Sequence, residues 1–166
     1  MTAEPDTTPA LDDPDEDGDA LVLLVEDNAD DAILLRRALR KSGLRLRLEV
    51  VNHGDAAVDY LGNAGAYADR RRHPRPQLVL LDVKLPRRSG HEVLEWVRQQ
   101  PALDAMPVIV LTSSGEEDDV RRAYALRASS YLRKPLTFDG LVALLRLIHA
   151  YWIDANVAPT RQEHRA

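Results

Sequence analysis

Leu21-Val-Leu-Leu-Val-Glu-Asp27 and Leu78-Val-Leu-Leu-Asp-Val-Lys-Leu-Pro86 decide the fold. Each is a short apolar run, without polar alternation, that stops on carboxylates. Two further runs behave alike: Val108-Ile-Val-Leu111 stops on Thr112, and Tyr131-Leu132 lies just before Lys134-Pro135. Short continuous apolar runs rich in β-branched residues read as strands covered on both faces of a parallel sheet. Parallel strands end on one shared edge, where open α/β sheets hold their ligands. Three carboxylates, a hydroxyl and an amine far apart in sequence are therefore expected to meet, which is a donor set for a divalent metal and a phosphoryl group.

Working outward, helical segments separate these strands and there is no internal repeat. The first strand covers 20–26. Asn28 caps a helix through Ile33, Leu34, Ala38 and Leu39, which Gly43 stops. A second strand is expected over 46–51 and a second helix over 55–63. A polar loop then spans 64–76 before the third strand, 77–82. Ser89 caps a helix with Val93, Leu94 and Val97 inward. The fourth strand covers 106–112, the fourth helix 116–126, a brief fifth strand 130–132, and the last helix 138–153. Five β/α units with right-handed crossovers specify a doubly wound, flavodoxin-like three-layer sandwich. The expected strand order is 2-1-3-4-5, which sets the Glu26-Asp27 and Asp82 strand ends side by side.

Composition agrees with one domain plus tails in 166 residues. The formal net charge of -5 is unevenly spread: residues 1–20 hold eight acids and no base, leaving 22 bases against 19 acids elsewhere. Residues 1–19 read as a disordered acidic tail, 20–155 as the folded domain, and 156–166 as a short second tail. With no cysteine, disulfide and zinc-thiolate chemistry are excluded. No apolar stretch reaches the roughly 20 residues of a membrane span, and no signal peptide opens the chain. A cytoplasmic protein without membrane association is expected.

Each residue also has an ordinary explanation. Glu26 and Asp27 fit solvated acids at a strand end, and Thr112, Ser113 or Ser114 fits a helix cap. Tyr131 fits a half-buried strand tyrosine. Asp82 is harder to explain so, because a carboxylate closing a central strand is costly without compensation. Lys134 precedes proline, which holds it extended and aims its ammonium over the strand ends. The basic run Arg70-Arg-Arg-His-Pro-Arg75 lacks interleaved aromatics and a recognition helix, so it reads as a solvated or partner-docking loop and direct nucleic-acid binding is not expected. Too few residues follow Ile153 for a DNA-binding domain.

The segments Val25-Glu-Asp-Asn28, Leu80-Leu-Asp-Val-Lys-Leu-Pro86, Val110-Leu-Thr-Ser113 and Tyr131-Leu-Arg-Lys-Pro135 resemble the motifs of response regulator receiver domains of two-component signalling, from about residue 20 to 153. Within that family the chain is most similar to stand-alone regulators serving phytochromes, through the Gly65-Ala-Tyr67 loop and the Tyr151-Trp152 pair. The resemblance implies a Mg²⁺ cofactor held by Asp27 and Asp82 directly, Glu26 through water, and the Lys84 carbonyl. It implies Asp82 as the nucleophile toward a phosphoryl group from a sensor histidine kinase or small phosphodonor, with Lys134 and Thr112 assisting. Thr112 and Tyr131 would form the switch. Such a protein catalyses its own aspartyl phosphorylation and dephosphorylation without being a conventional enzyme. Lys84 departs from the commoner choices and is a candidate for tuning the phosphoryl lifetime.

The last helix carries more apolar surface than one sheet face can cover. Leu141, Leu145, Ile148 and Trp152 form the inward stripe. Leu144, Leu147, Tyr151 and Ile153 spread beyond it, and the face of Leu144, Leu147, Tyr151 and Trp152 suggests a homodimer contact, ahead of contact with a separate partner. An aspartate-nucleophile phosphatase would want an acid two residues after Asp82, where Lys84 stands. A nucleotide site would want a Gly-rich loop after the first strand. A receiver-like module that binds partners without phosphorylation remains the alternative, although no member of the constellation is missing.

Overall fold

The computed structural model describes residues 19–159; of the tails expected at 1–19 and 156–166, all but Asp19 and residues 156–159 lie outside them. Strands β1 (Ala20–Val25), β2 (Leu46–Val51), β3 (Leu78–Leu81), β4 (Val108–Thr112) and β5 (Ser130–Arg133) alternate with α1 (Ala29–Ser42), α2 (Gly54–Gly62), α3 (Gly90–Gln99), α4 (Glu117–Ala125) and α5 (Phe138–Ile148). All strand pairings are parallel, in the order β2-β1-β3-β4-β5. The doubly wound sheet expected from the sequence is what forms.

Period-two alternation divides the core. Val22, Leu24, Leu78, Leu80, Ile109 and Leu111 pack with α1 and α5 through Leu35, Leu39, Leu141 and Leu145. Leu23, Val25, Val79, Leu81 and Val108 pack on the other face with α2 and α3 through Ala57, Leu61, Val93 and Val97. The central strands β1, β3 and β4 are apolar up to the Thr112 that closes β4 because both faces are covered, whereas the edge strands β2 and β5 carry Arg47, Glu49 and Arg133. Burying each such side chain contributes roughly 1.5–3 kcal/mol.

The helix boundaries follow local chemistry. The Asn28 side chain accepts from the Asp30 and Asp31 N–H groups at 3.0 and 3.1 Å, and Gly43 closes α1 in the left-handed region at φ 72°. Ser89 and Glu92 form a reciprocal capping box on α3. Gly90 is required by close approach: a Cβ there would lie 2.0 Å from the Asp82 carbonyl oxygen. That contact seats the start of α3 directly beneath the end of β3.

Two stretches differ from expectation. The 64–76 segment is not merely a solvated loop. It contains a 3₁₀ turn at Gly65–Tyr67, and Tyr67 and His73 pack against Tyr60 with centroids 5.2 and 5.8 Å away. Arg70 donates to the carbonyls of Tyr60 and Leu61 at 2.8 and 2.9 Å, so this arginine clamps α2 instead of facing a partner. The last helix is α-helical only to Ile148 and continues as a π-helix over His149–Ala155, with the Asn156 N–H donating to the Tyr151 carbonyl at 2.7 Å.

Candidate functional site

The site is assembled by the sheet's own ladder carried one residue past the strands. The Glu26 N–H donates to the Val51 carbonyl at 3.0 Å, Asp82 N–H to Val25 at 3.1 Å, and Lys134 N–H to Thr112 at 2.8 Å. Neighbouring strands therefore hold these backbones, and their side chains inherit that precision.

Asp82 is 8% exposed and Glu26 3%, whereas Asp27 is exposed. The carboxylate oxygens of Glu26, Asp27 and Asp82 lie within 4.8 Å of one another. The Thr112 hydroxyl donates to Asp82 Oδ1 at 2.7 Å. The Lys134 ammonium, on a side chain 15% exposed, donates to Asp82 Oδ2 at 3.2 Å, to Asp31 Oδ2 at 3.0 Å and to Glu26 at shorter range. Glu26 also accepts from the Asn28 N–H at 3.0 Å.

Three carboxylates thus share one ammonium, with Asp27 adding a fourth acid to the cluster. Burial pushes the Glu26 carboxyl above its usual range, against the opposing bonds from Lys134 and Asn28. Burial would lower Lys134, but its bonds to Glu26 and Asp31 and the charge of Asp82 reverse that and hold it above the ordinary lysine range. Lys134 is a fixed cation. The excess of negative charge remains, and oxygen-only donors in close range suit a hard divalent ion such as Mg²⁺. The residues fit that cofactor.

The candidate residues fall into two groups. Glu26, Asp27, Asp82, Thr112 and Lys134 come together. Lys84 joins them through its backbone N–H, 3.4 Å from Asp82 Oδ1, while its ammonium reaches Glu116 at 3.5 Å across the mouth. Tyr131 stands one layer back: its hydroxyl donates to the Ser114 carbonyl at 3.0 Å, and its backbone N–H donates to the Tyr124 hydroxyl at 3.2 Å. Leu144, Leu147, Tyr151 and Trp152 are remote from the acids. Leu147 is 68% and Tyr151 58% exposed, whereas Leu144 and Trp152 are partly covered by the α1/α5 core.

Three participants lie outside the constellation that the sequence predicts, where Ser114 features only as a candidate helix cap. Asp31 binds Lys134, and its signal was available: it sits one helical turn after Asp27 behind a recognised cap. Ser114 links Thr112 to α4, its N–H donating to Thr112 Oγ1 at 3.2 Å and its hydroxyl to Asp119 Oδ2 at 2.6 Å. Buried His91 meets the Asp119 carbonyl at 3.1 Å, joining α3 to α4. Nothing in the local sequence marks His91.

Beside Lys134 lies a cleft of about 370 Å³ lined by Glu26, Asp31, Leu34, Pro135 and Leu136. Ile33, Leu34 and Leu136 leave apolar surface exposed next to it. A hollow of about 910 Å³ lies elsewhere, between Pro76, Pro107 and Trp152, and none of the site carboxylates lines it.

Comparison with known proteins agrees with this geometry. The profile of the response regulator receiver domain matches residues 22–146. The chain is 42% identical over 139 residues to the "Probable methanogenesis regulatory protein FilR2" of Methanothrix harundinacea, covering 84% of this chain and 87% of that one. It is 37% identical to the response regulator Rcp1 of a Synechocystis species, covering 84% and 92%. A Mn²⁺-bound form of Rcp1 superposes with TM-score 0.74, 36% identity and coverage of 85% and 99%. The phosphorylated cyanobacterial phytochrome response regulator RcpA superposes with TM-score 0.78 at 34% identity, covering 86% and 99%.

Proposed function

The chain belongs to the response regulator receiver family of two-component signalling, and from that premise we propose that it is a stand-alone phosphoryl switch whose acceptor is Asp82. The observation that carries this reading is one carboxylate held at both oxygens, by Thr112 and by Lys134, within a cluster of acids at the sheet edge. Relatives that this chain matches over 87% and 92% of their length support action without an attached output domain.

Asp27, Asp82 and the Lys84 carbonyl would hold Mg²⁺, with Glu26 behind them. Bound there, the ion supplies positive charge for the equatorial phosphoryl oxygens. The chain's own residues do the rest. Lys134 donates to Asp82 Oδ2 at 3.2 Å and so fixes the orientation of the attacking carboxylate. An Asp82 oxygen attacks phosphorus, a P–O bond forms, and the P–N bond of a phosphohistidine donor breaks, its electron pair returning to the imidazole. Placement and charge stabilisation dominate such a transfer. Lys134 serves the anionic product as a point charge.

Thr112 then exchanges its bond to Asp82 for one to a phosphoryl oxygen. That pulls on Ser114, whose carbonyl holds the Tyr131 hydroxyl, so the tyrosine turns and the face of α4, β5 and α5 changes. Lys84, poised over the mouth, tunes how long the acyl phosphate survives. A histidine kinase is the donor, and a bacteriophytochrome is the kinase we favour from the relatives Rcp1 and RcpA. The exposed Ile33, Leu34 and Leu136 border the pocket, where a donor protein must lie for its phosphohistidine to reach Asp82. Leu147 and Tyr151, with the flanking Leu144 and Trp152, form a homodimer face. Light scattering that finds only monomer, with Asp82 both free and phosphorylated, removes the dimer.

The deciding experiment is phosphoryl incorporation from a small phosphodonor with Mg²⁺, followed by phosphate-affinity electrophoresis. Wild type is expected to shift and Asp82→Asn to remain unshifted while staying folded. Incorporation at a normal rate into Asp82→Asn would refute the assignment.

A further inference from the structure

Glu26, Asp82, Thr112 and His91 are the buried polar side chains among the described residues, and His91 alone stands outside the acid site. It sits in the first turn of α3, directly after Gly90, whose N–H donates to the Val83 carbonyl at 2.8 Å. His91 therefore starts from a point fixed to the end of β3, the strand that carries Asp82. Its Nε2 lies 3.1 Å from the Asp119 carbonyl in the first turn of α4. A carbonyl oxygen only accepts, so that nitrogen carries the proton and donates.

Helix α4 is thinly attached. Ala123 is its one buried residue, and Glu116 at its N-cap makes no side-chain cap bond. By contrast, α3 buries Val93, Leu94 and Val97 as well as His91. The far end of α4 is pinned, because Arg98 of α3 donates to the Arg127 carbonyl at 3.0 Å and Arg127 to Asp104 Oδ1 at 2.6 Å. With so little apolar burial at its start, polar bonds decide where the first turn sits. Two of them meet at Asp119 from different bodies. His91 holds its carbonyl from α3, while the Ser114 hydroxyl donates to its Oδ2 at 2.6 Å from the loop behind Thr112.

We propose that His91 is a positioning residue that latches α4 in its resting place, so that the pull of Ser114 must break the His91–Asp119 bond before α4 moves. The latch rests on Asp82 as the acceptor, since the pull begins when Thr112 turns to a phosphoryl oxygen. The bond stabilises the resting state alone, and removing it favours the switched state.

The test titrates beryllofluoride, an acyl-phosphate mimic, with Mg²⁺ into the full chain while Tyr131 and α4 amide signals are followed. His91→Leu fills much of the ring's space without a donor. Its midpoint should fall to roughly fivefold lower beryllofluoride, the factor that one ordinary hydrogen bond allows. His91→Gln, whose amide can donate to the same carbonyl, should titrate like wild type. No gain in His91→Leu, or an equal gain in both variants, overturns the latch; the second result would trace the effect to ring volume. Wild type gives a further readout that needs no variant to fold. The His91 Nε2–H resonance should resist exchange with water at rest, and it should shift or vanish when beryllofluoride is added. A ring signal that stays in place while Tyr131 moves overturns the latch and leaves Asp82 as acceptor. Wild type in which neither signal responds to beryllofluoride removes both.

Discussion

Lys134→Met removes the ammonium while keeping a side chain of similar length, and the structure sets the cost. Lys134 donates to Glu26, Asp31 and Asp82 from a side chain 15% exposed. Removing one member of a buried charge pair costs roughly 3–5 kcal/mol. Three carboxylates lose their shared cation here, but Asp31 is 40% exposed at its side chain and keeps its hydration. That argues for the lower end, about 3 kcal/mol at neutral pH in metal-free buffer. With a urea slope near 2 kcal/mol/M, the unfolding midpoint should fall by about 1.5 M. Saturating Mg²⁺ should then stabilise the variant more than wild type, because in wild type the ion must share the acids with Lys134. Paired urea titrations with and without Mg²⁺ measure both effects. A metal-free midpoint equal to wild type would show that Lys134 is not what holds the carboxylates together. A fallen midpoint with no larger Mg²⁺ response would show that these acids do not take the metal.

Other outcomes follow from the same contacts. Thr112→Val loses a donor to Asp82 and an acceptor for the Ser114 N–H. It should cost about 1.5–3 kcal/mol and uncouple Tyr131, so that ring resonances of Tyr131 no longer move on phosphorylation. Movement as in wild type would break the proposed switch. Asp27→Ala should weaken Mg²⁺ binding at least roughly tenfold by titration calorimetry, and an unchanged affinity would relocate the ion. Burial first, then the charge of Glu49, pushes the Tyr60 hydroxyl up to about 12 from an ordinary 10.0. Its neutral form is thus favoured by folding; that stabilisation is complete below pH 10 and disappears as pH rises through 12. A gap of that size is worth roughly 3 kcal/mol. Tyr60→Phe should therefore lose less stability than wild type between those pH values by chemical denaturation, and parallel curves would contradict the burial argument.

The candidate site was legible because its members sit at strand ends. A carboxylate closing Leu78–Leu81, or a lysine fixed before Pro135, announces itself through the apolar run beside it. Asp31 did not announce itself as a partner of Lys134, because that lysine arrives from 103 positions away. The stretch 64–76 lacks periodicity, so the packing of Tyr67 and His73 on Tyr60 and the clamp by Arg70 were not readable. The π-helical turn after Ile148 was also hidden, since an apolar stripe at helical spacing looks the same until hydrogen bonds shift by one residue.

By itself, then, the amino-acid order determined which segments extend, which coil and which polar groups stand where each strand stops, because those outcomes depend on neighbours a few residues apart. Tertiary structure alone decided which charges touch. Strand register places Val25 beside Leu81 and Thr112 beside Arg133, and only that placement lets one ammonium be shared among Glu26, Asp31 and Asp82. Electrostatic interaction in a partly buried site falls off over a few ångströms, and distances of that size are set by the sheet.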